Sequence, residues 1–237
     1  MKQNKMKNIL ITGASSGIGK EIANVLSNDN DLFLTGRRKT DKVNYFQCDF
    51  KDIFELEKLY KSAKEYFNSE IDVLINCAGQ YIYKPIEKMT FDEVTYLTDL
   101  NFKAAYILSG LVISGMKKNN WGRIINIGSI SAMVGEANAT LYSATKAALS
   151  GLTRALALEV AQNNITVNQI NPGWVETPLA ENSLSEEEKQ EVIDVTPQKR
   201  FIKPIEIAEL CKYLISEDAK GLTGQNINLC AGLSIGS

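Results

Sequence analysis

Tyr142 and Lys146 stand four residues apart in the alanine-rich run Tyr142-Ser-Ala-Thr-Lys146-Ala-Ala148. Alanine costs least in a helix, so the run predicts a helix whose Tyr142 and Lys146 share a face, about 5–6 Å apart at Cβ. A phenol with a pKa of about 10 is a poor acid–base group at neutral pH. A nearby ammonium favours its ionised form, and bringing the pKa to about 7 takes roughly 4 kcal/mol at 1.36 per unit. Ser129 ends a β-branched run, Arg123-Ile-Ile-Asn-Ile-Gly-Ser129, that reads as a buried strand. The chemistry on offer is proton transfer, with Tyr142 as general acid–base, Lys146 as its tuner and Ser129 as the group orienting a reacting oxygen. A tyrosine and a lysine at helical spacing also arise by chance, so the surrounding elements decide the matter.

The chain has 237 residues, enough for one α/β domain spanning 1–237 with an ample core. A formal charge of −2 gives no basic field for nucleic acid. No apolar run approaches the ~18 residues that span a bilayer. The basic start, residues 1–7, leads only into Ile9-Leu-Ile11, a strand rather than a signal peptide. A cytoplasmic protein without membrane association is therefore expected. Cys48, Cys77, Cys211 and Cys230 are widely spaced and read as four buried, reduced thiols. With no histidine in the chain, no metal site is expected and histidine acid–base chemistry is excluded.

Short apolar runs at 8–12, 32–35, 43–47, 73–76, 124–127, 166–170 and 226–229 alternate with helical patterns. That alternation predicts a Rossmann-type α/β fold, a doubly wound parallel sheet of about seven strands. Its ligand should lie beyond the strands' carboxyl ends. The first strand leads into Thr12-Gly13-Ala-Ser15-Ser16-Gly17-Ile18-Gly19, then an amphipathic helix over 20–26. Such a turn lets backbone N–H groups approach a pyrophosphate resting on the helix N-terminus, although a plain turn would use the same glycines. About 20 positions on, an acidic group would select NAD. The chain has Gly36-Arg37-Arg38-Lys39 instead, with no carboxylate until Asp41. Arg37 or Arg38 could clamp the 2′-phosphate of NADP, or the stretch could be a solvated basic turn.

Taken in order, Thr12–Gly19, Asn76-Cys-Ala78-Gly79, Asn101, Ser129, Tyr142 and Lys146 resemble the short-chain dehydrogenase/reductase family in its compact single-domain branch, from residue 8 to about 233. The resemblance implies that Asn101 is a fourth catalytic residue, holding a water that links Lys146 to solvent. It implies that Asp49, with Phe50 after it, lies beside the adenine ring, and that Asn76, Ala78 and Gly79 support the sheet and line the cofactor. It further implies that Pro172, Gly173, Val175 and Thr177 meet the nicotinamide and phosphates. NADPH is the expected cofactor, and the implied reaction reduces a ketone. There are departures: no helix fits between the second and third strands, Cys77 replaces an asparagine, and Cys230-Ala231-Gly232 stands where the family often has Asp-Gly-Gly.

Residues 178–200 correspond to the family's substrate lid, and Ser185 followed by Glu188 predicts a capped helix there. The overall likeness points to 3-oxoacyl thioester reduction. Alternatives are dehydrogenation of a sugar, polyol or cyclic alcohol, and a regulator that binds NADP without turnover. Docking an acidic carrier protein wants exposed cations, for which Lys117, Lys118 and Arg123 are candidates where such reductases often place arginine near Asn120 and Asn163. Helices over 91–116 and 142–162 are apolar on more than one face, and by resemblance the chain forms a homotetramer.

Overall fold

In this computed structural model residues 6–40, 42–181 and 184–235 are described. Asp41 and the first five residues lie outside them. Strand β1 (Asn8–Thr12) runs through a glycine turn into helix α1 (Gly17–Leu26) and returns as β2 (Asp31–Gly36). Helix α1 begins three residues before the 20–26 expected, because the turn feeds directly into its first turn. Strand β3 (Tyr45–Gln47) follows with no helix between, as the short spacing implied. Then come α2 (Ile53–Phe67), β4 (Val73–Asn76), α3 (Phe91–Thr98) and α4 (Ala104–Asn119). Strand β5 (Gly122–Ile127) leads through short α5 (Ser131–Val134) to the long α6 (Thr140–Val160) and β6 (Ile165–Pro172). Helices α7 (Pro178–Glu181), α8 (Glu186–Val195) and α9 (Pro204–Leu214) precede β7 (Asn226–Leu229).

The seven strands form one parallel sheet in the order β3-β2-β1-β4-β5-β6-β7. Successive strand residues point to opposite faces, and here both faces are covered. Ile9, Ile11, Val73, Ile75 and Ile125 pack towards α1 and α9, through Ile22, Leu26, Ile207 and Cys211. Leu10, Leu74 and Ile124 pack the other way, against Leu56, Leu59, Leu108 and Val112 of α2 and α4. That two-sided burial is why the strands read as continuous apolar runs rather than alternating ones.

The single helix expected over 91–116 is a correction. A π-helical turn, Asp99–Lys103, separates α3 from α4. The wide turn carries Asn101 inward, where its Oδ1 accepts from the Gln80 N–H at 2.9 Å and its Nδ2 donates to the Gln80 carbonyl at 2.9 Å. Such single-turn bulges occur frequently at functional sites. The Ser185–Glu188 capping box forms at the start of α8. Cys48, Cys211 and Cys230 are buried free thiols, whereas Cys77 is only partly covered. Ala231 adopts φ +53°, the conformation a glycine would hold without strain. No helix among the described residues is long and apolar enough to cross a membrane.

Candidate active site

The strand order reverses between β1 and β4, where an open parallel sheet leaves a crevice at its carboxyl ends. The two strands' exits nearly touch: a Cβ on Gly13, whose φ is +69°, would lie 2.8 Å from Ala78 Cα. A Cβ on Gly19 would meet the Gly13 carbonyl oxygen at 2.4 Å. Gly13, Ser15, Ser16, Gly17, Ile18 and Gly19 line one side of a cavity of about 310 Å³. Arg37, Arg38, Phe50, Ala78, Gly79 and Thr177 line it as well. Ser16 caps α1 without a side-chain bond, so the first-turn N–H groups are presented for an anion.

Thr12, Asn76 and Asp49 are among the expected contacts that fall outside that lining. Thr12 is buried, its Oγ1 accepting from the N–H groups of Cys77 and Ala78 at 3.0 Å each, so it pins β4's exit to β1's. Asn76 turns into the core and donates to Asn126 Oδ1 at 2.9 Å. Asp49 is exposed and accepts from the Lys51 N–H. Local motif position could not reveal which face each side chain takes.

A second cavity, about 340 Å³, shares Ile18 and Thr177 with the first, so the two make one continuous cleft. Ser129 and Tyr142 lie on its wall with Pro172, Gly173 and Val175. Lys146, on α6 one turn after Tyr142, is buried and donates to the Ile127 carbonyl at 2.7 Å. Its Nζ is 5.7 Å from the Tyr142 ring centre. A Cβ on Gly79 would stand 3.4 Å from both Lys146 Nζ and Asn101 Oδ1, so these polar atoms flank one point between groove and cavity. Asn101 Nδ2 donates to Thr145 Oγ1 at 3.2 Å, and Thr145 Oγ1 donates to the Tyr142 carbonyl at 2.8 Å. The π-turn is thereby tied to α6. All four expected side chains are brought together at the carboxyl ends of β4 and β5.

The family model described as short chain dehydrogenase matches residues 7–188. The chain belongs to the short chain dehydrogenase family. It is 35% identical to the 3-oxoacyl-[acyl-carrier-protein] reductase FabG of Buchnera aphidicola, the match covering 98% of this chain and 99% of that protein. It is 31% identical to the D-beta-hydroxybutyrate dehydrogenase of Cupriavidus necator, over 95% of this chain and 97% of the relative. Among solved structures, the actinorhodin polyketide ketoreductase with NADPH superposes with a TM-score of 0.91 at 31% identity, covering 99% and 100% of the two chains. As a short chain dehydrogenase the protein is an oxidoreductase acting on CH–OH groups, and the family binds NAD(P). The groove fits such a dinucleotide, since the glycine turn before α1 lines it and leaves the first-turn N–H groups of that helix for a phosphate.

Electrostatics depart from the simplest family picture in one respect. Burial pushes the Tyr142 pKa up to about 12; a hydrogen bond with Ser129 partly offsets this, and the Glu136 charge adds to it. Burial also pushes the Lys146 pKa down to about 8. Lys146 by itself does not draw the phenol down. Its ammonium is turned to the Ile127 carbonyl, and desolvation outweighs its pull. Gly36, Gln80 and Leu100 in the groove, and Tyr81, Glu136 and Trp174 in the cavity, were missed from sequence. Only Gly36, ending β2 beside the arginines, carried a local signal.

Proposed function

We propose that this short chain dehydrogenase reduces a ketone to a secondary alcohol with NADPH, its substrate being a 3-oxoacyl thioester, small or borne on a carrier protein. The observation that carries the reading is the Tyr142 phenol on the wall of one cavity with the Ser129 hydroxyl, next to the dinucleotide groove. When bound, the reduced nicotinamide supplies hydride to the carbonyl carbon. Ser129 and Tyr142 hold the carbonyl oxygen, and Tyr142 gives it a proton. Lys146, with Asn101 beside it, replaces that proton. Gly13, Ser15, Ser16, Gly17, Ile18 and Gly19 cradle the pyrophosphate. Val134, Val192, Val195 and Leu233 give the cavity apolar room for an acyl chain. The resemblance to FabG supports the thioester. Oxidation of NADPH on adding acetoacetyl thioester tests the proposal, and no turnover with any 3-oxoacyl thioester would overturn it.

Arg37 supports NADPH over NADH. It lines the groove, held by Tyr96 Oη at 3.0 Å and Gln80 Oε1 at 3.4 Å. Arg37→Asp is expected to raise the KM for NADPH at least about tenfold, as loss of a charge-assisted contact to phosphate does, and to leave NADH nearly untouched. Equal effects on the two dinucleotides would refute the assignment.

Carrier docking cannot use Arg123, which is 2% exposed, lies over the Trp121 ring and donates to the Asn164 carbonyl at 3.0 Å. Lys117 and Lys118 close α4 just before β5 begins, about 20 Å of strand away from Ser129. Carrier delivery therefore draws no support from these three cations within one protomer. Exposed Phe91, Tyr106 and Leu158 on α3, α4 and α6 support a homotetramer. A second reading, oxidation of a sugar, polyol or cyclic alcohol, is favoured by the Glu136 carboxylate on the cavity wall, which can accept from a substrate hydroxyl. A substrate panel with both dinucleotides separates the two.

A further inference from the structure

We propose that Glu136 makes the cavity selective for uncharged carbonyl or alcohol substrates, turning away those with a carboxylate close to the reacting carbon. The inference rests on the reading of this cavity as the substrate site. Among the described residues lining it, Glu136 alone carries a charge. It follows Gly135, whose φ is +73°, on the segment between α5 and α6. Two hydroxyls from different parts of the chain fix it: Tyr81 donates to Oε1, and Ser131 donates to Oε2 at 2.8 Å. Ser131 Oγ in turn accepts from Ser129 Oγ at 3.0 Å. The carboxylate therefore stands two hydrogen bonds from the hydroxyl that orients the reacting oxygen. Two neutral donors orient a carboxylate without cancelling its charge, and about two of its four lone-pair sites stay open.

No cation on the wall offsets that charge. Lys146 is the nearest, but its ammonium is bonded to the Ile127 carbonyl and sits by Gly79 on the groove side. Those two hydrogen bonds, 3.0 and 2.8 Å long, hold Ser129 Oγ within about 6 Å of the carboxylate, and a substrate carboxylate turned to this side of a ketone held by Ser129 lies at comparable range. At an effective dielectric of ~20 the repulsion at that range weakens binding on the order of 100-fold. A thioester, ester or alcohol at the same place carries no charge to repel. Its carbonyl or hydroxyl meets a wall whose other described residues are uncharged, with Tyr81 and Trp174 6.3 Å apart between ring centres.

The test compares kcat/KM for ethyl acetoacetate and acetoacetate in the wild type and Glu136→Gln, with the same reduced dinucleotide. The wild type should prefer the ester at least about 100-fold. Glu136→Gln should narrow the preference at least about tenfold, through a lower KM for acetoacetate, because glutamine keeps the shape and loses the charge. An unchanged preference in the variant, or a wild type that takes both equally, overturns the proposal. If the wild type does not reduce the ester, turnover of acetoacetyl thioester decides the reductase reading separately. Calorimetric binding of butyramide against butyrate to the wild-type protein with dinucleotide then decides the selectivity. The amide tighter by at least about tenfold supports it, and equal affinities overturn it.

Discussion

Tyr142→Phe is expected to lower the rate of ketone reduction at least about 100-fold, the usual cost of losing a general acid, while dinucleotide affinity stays within about twofold. The substitution removes one hydroxyl and keeps the ring, which packs edge-on against Tyr81 at 5.1 Å between centres. Ser129 would still hold a substrate oxygen, so the residual rate reports how much orientation achieves without a proton donor. Steady-state kcat and dinucleotide titration by protein fluorescence check the two halves separately. Retained turnover would remove Tyr142 from the chemistry. Loss of dinucleotide binding would mean that the phenol holds the cofactor instead.

Lys146→Met is expected to abolish turnover to a similar degree and to stabilise the fold. The lysine is 5% exposed, and burial lowers its pKa from 10.5 to about 8. The folded state therefore binds this proton less tightly than the unfolded state does. Stability is reduced at every pH below about 8, recovers as pH rises from about 8, and the penalty is gone above about 10.5. At neutral pH the shift corresponds to about 3 kcal/mol, at 1.36 per unit. Methionine fills similar space without charge, but leaves the Ile127 carbonyl without its donor, which returns about 1 kcal/mol of the gain. The net, about 2 kcal/mol, should raise Tm by about 4–8 °C. The gain should be full below about pH 8, vanish by about pH 10, and reverse by about 1 kcal/mol above that, where the carbonyl's lost donor is all that remains. A variant no more stable than the wild type at pH 7 would show that the ammonium is well accommodated where it lies.

That Lys146 is buried at the expense of the fold was not legible in the sequence, although its position was. The helical spacing of Tyr142 and Lys146 placed them on one face. It could not show that Lys146 turns to a carbonyl 19 residues earlier, nor that burial would outweigh its field at the phenol. The inner strands were legible because they are apolar runs buried on both faces, whereas the edge strands β3 and β7 are only partly covered and were legible from their place in the alternation. The break at residues 99–103 was not, because its cause is the backbone of Gln80, 21 positions away. Arg123 misled for a similar reason. At the start of a strand it read as a surface cation, whereas Trp121 and the Asn164 carbonyl enclose it. Glu136 carried no local signal at all; only the fold brings Tyr81 and Ser131 to its carboxylate.

The pH dependence of the two directions of reaction, measured on one alcohol–ketone pair, tests the account most directly. Reduction needs Tyr142 protonated and oxidation needs it ionised. With burial holding the phenol high, the oxidation rate should rise steadily between about pH 6 and about pH 9, and the reduction rate should not rise. An oxidation rate that is flat across that range, or a reduction rate that climbs with it, would contradict a buried, protonated tyrosine as the group that moves the proton.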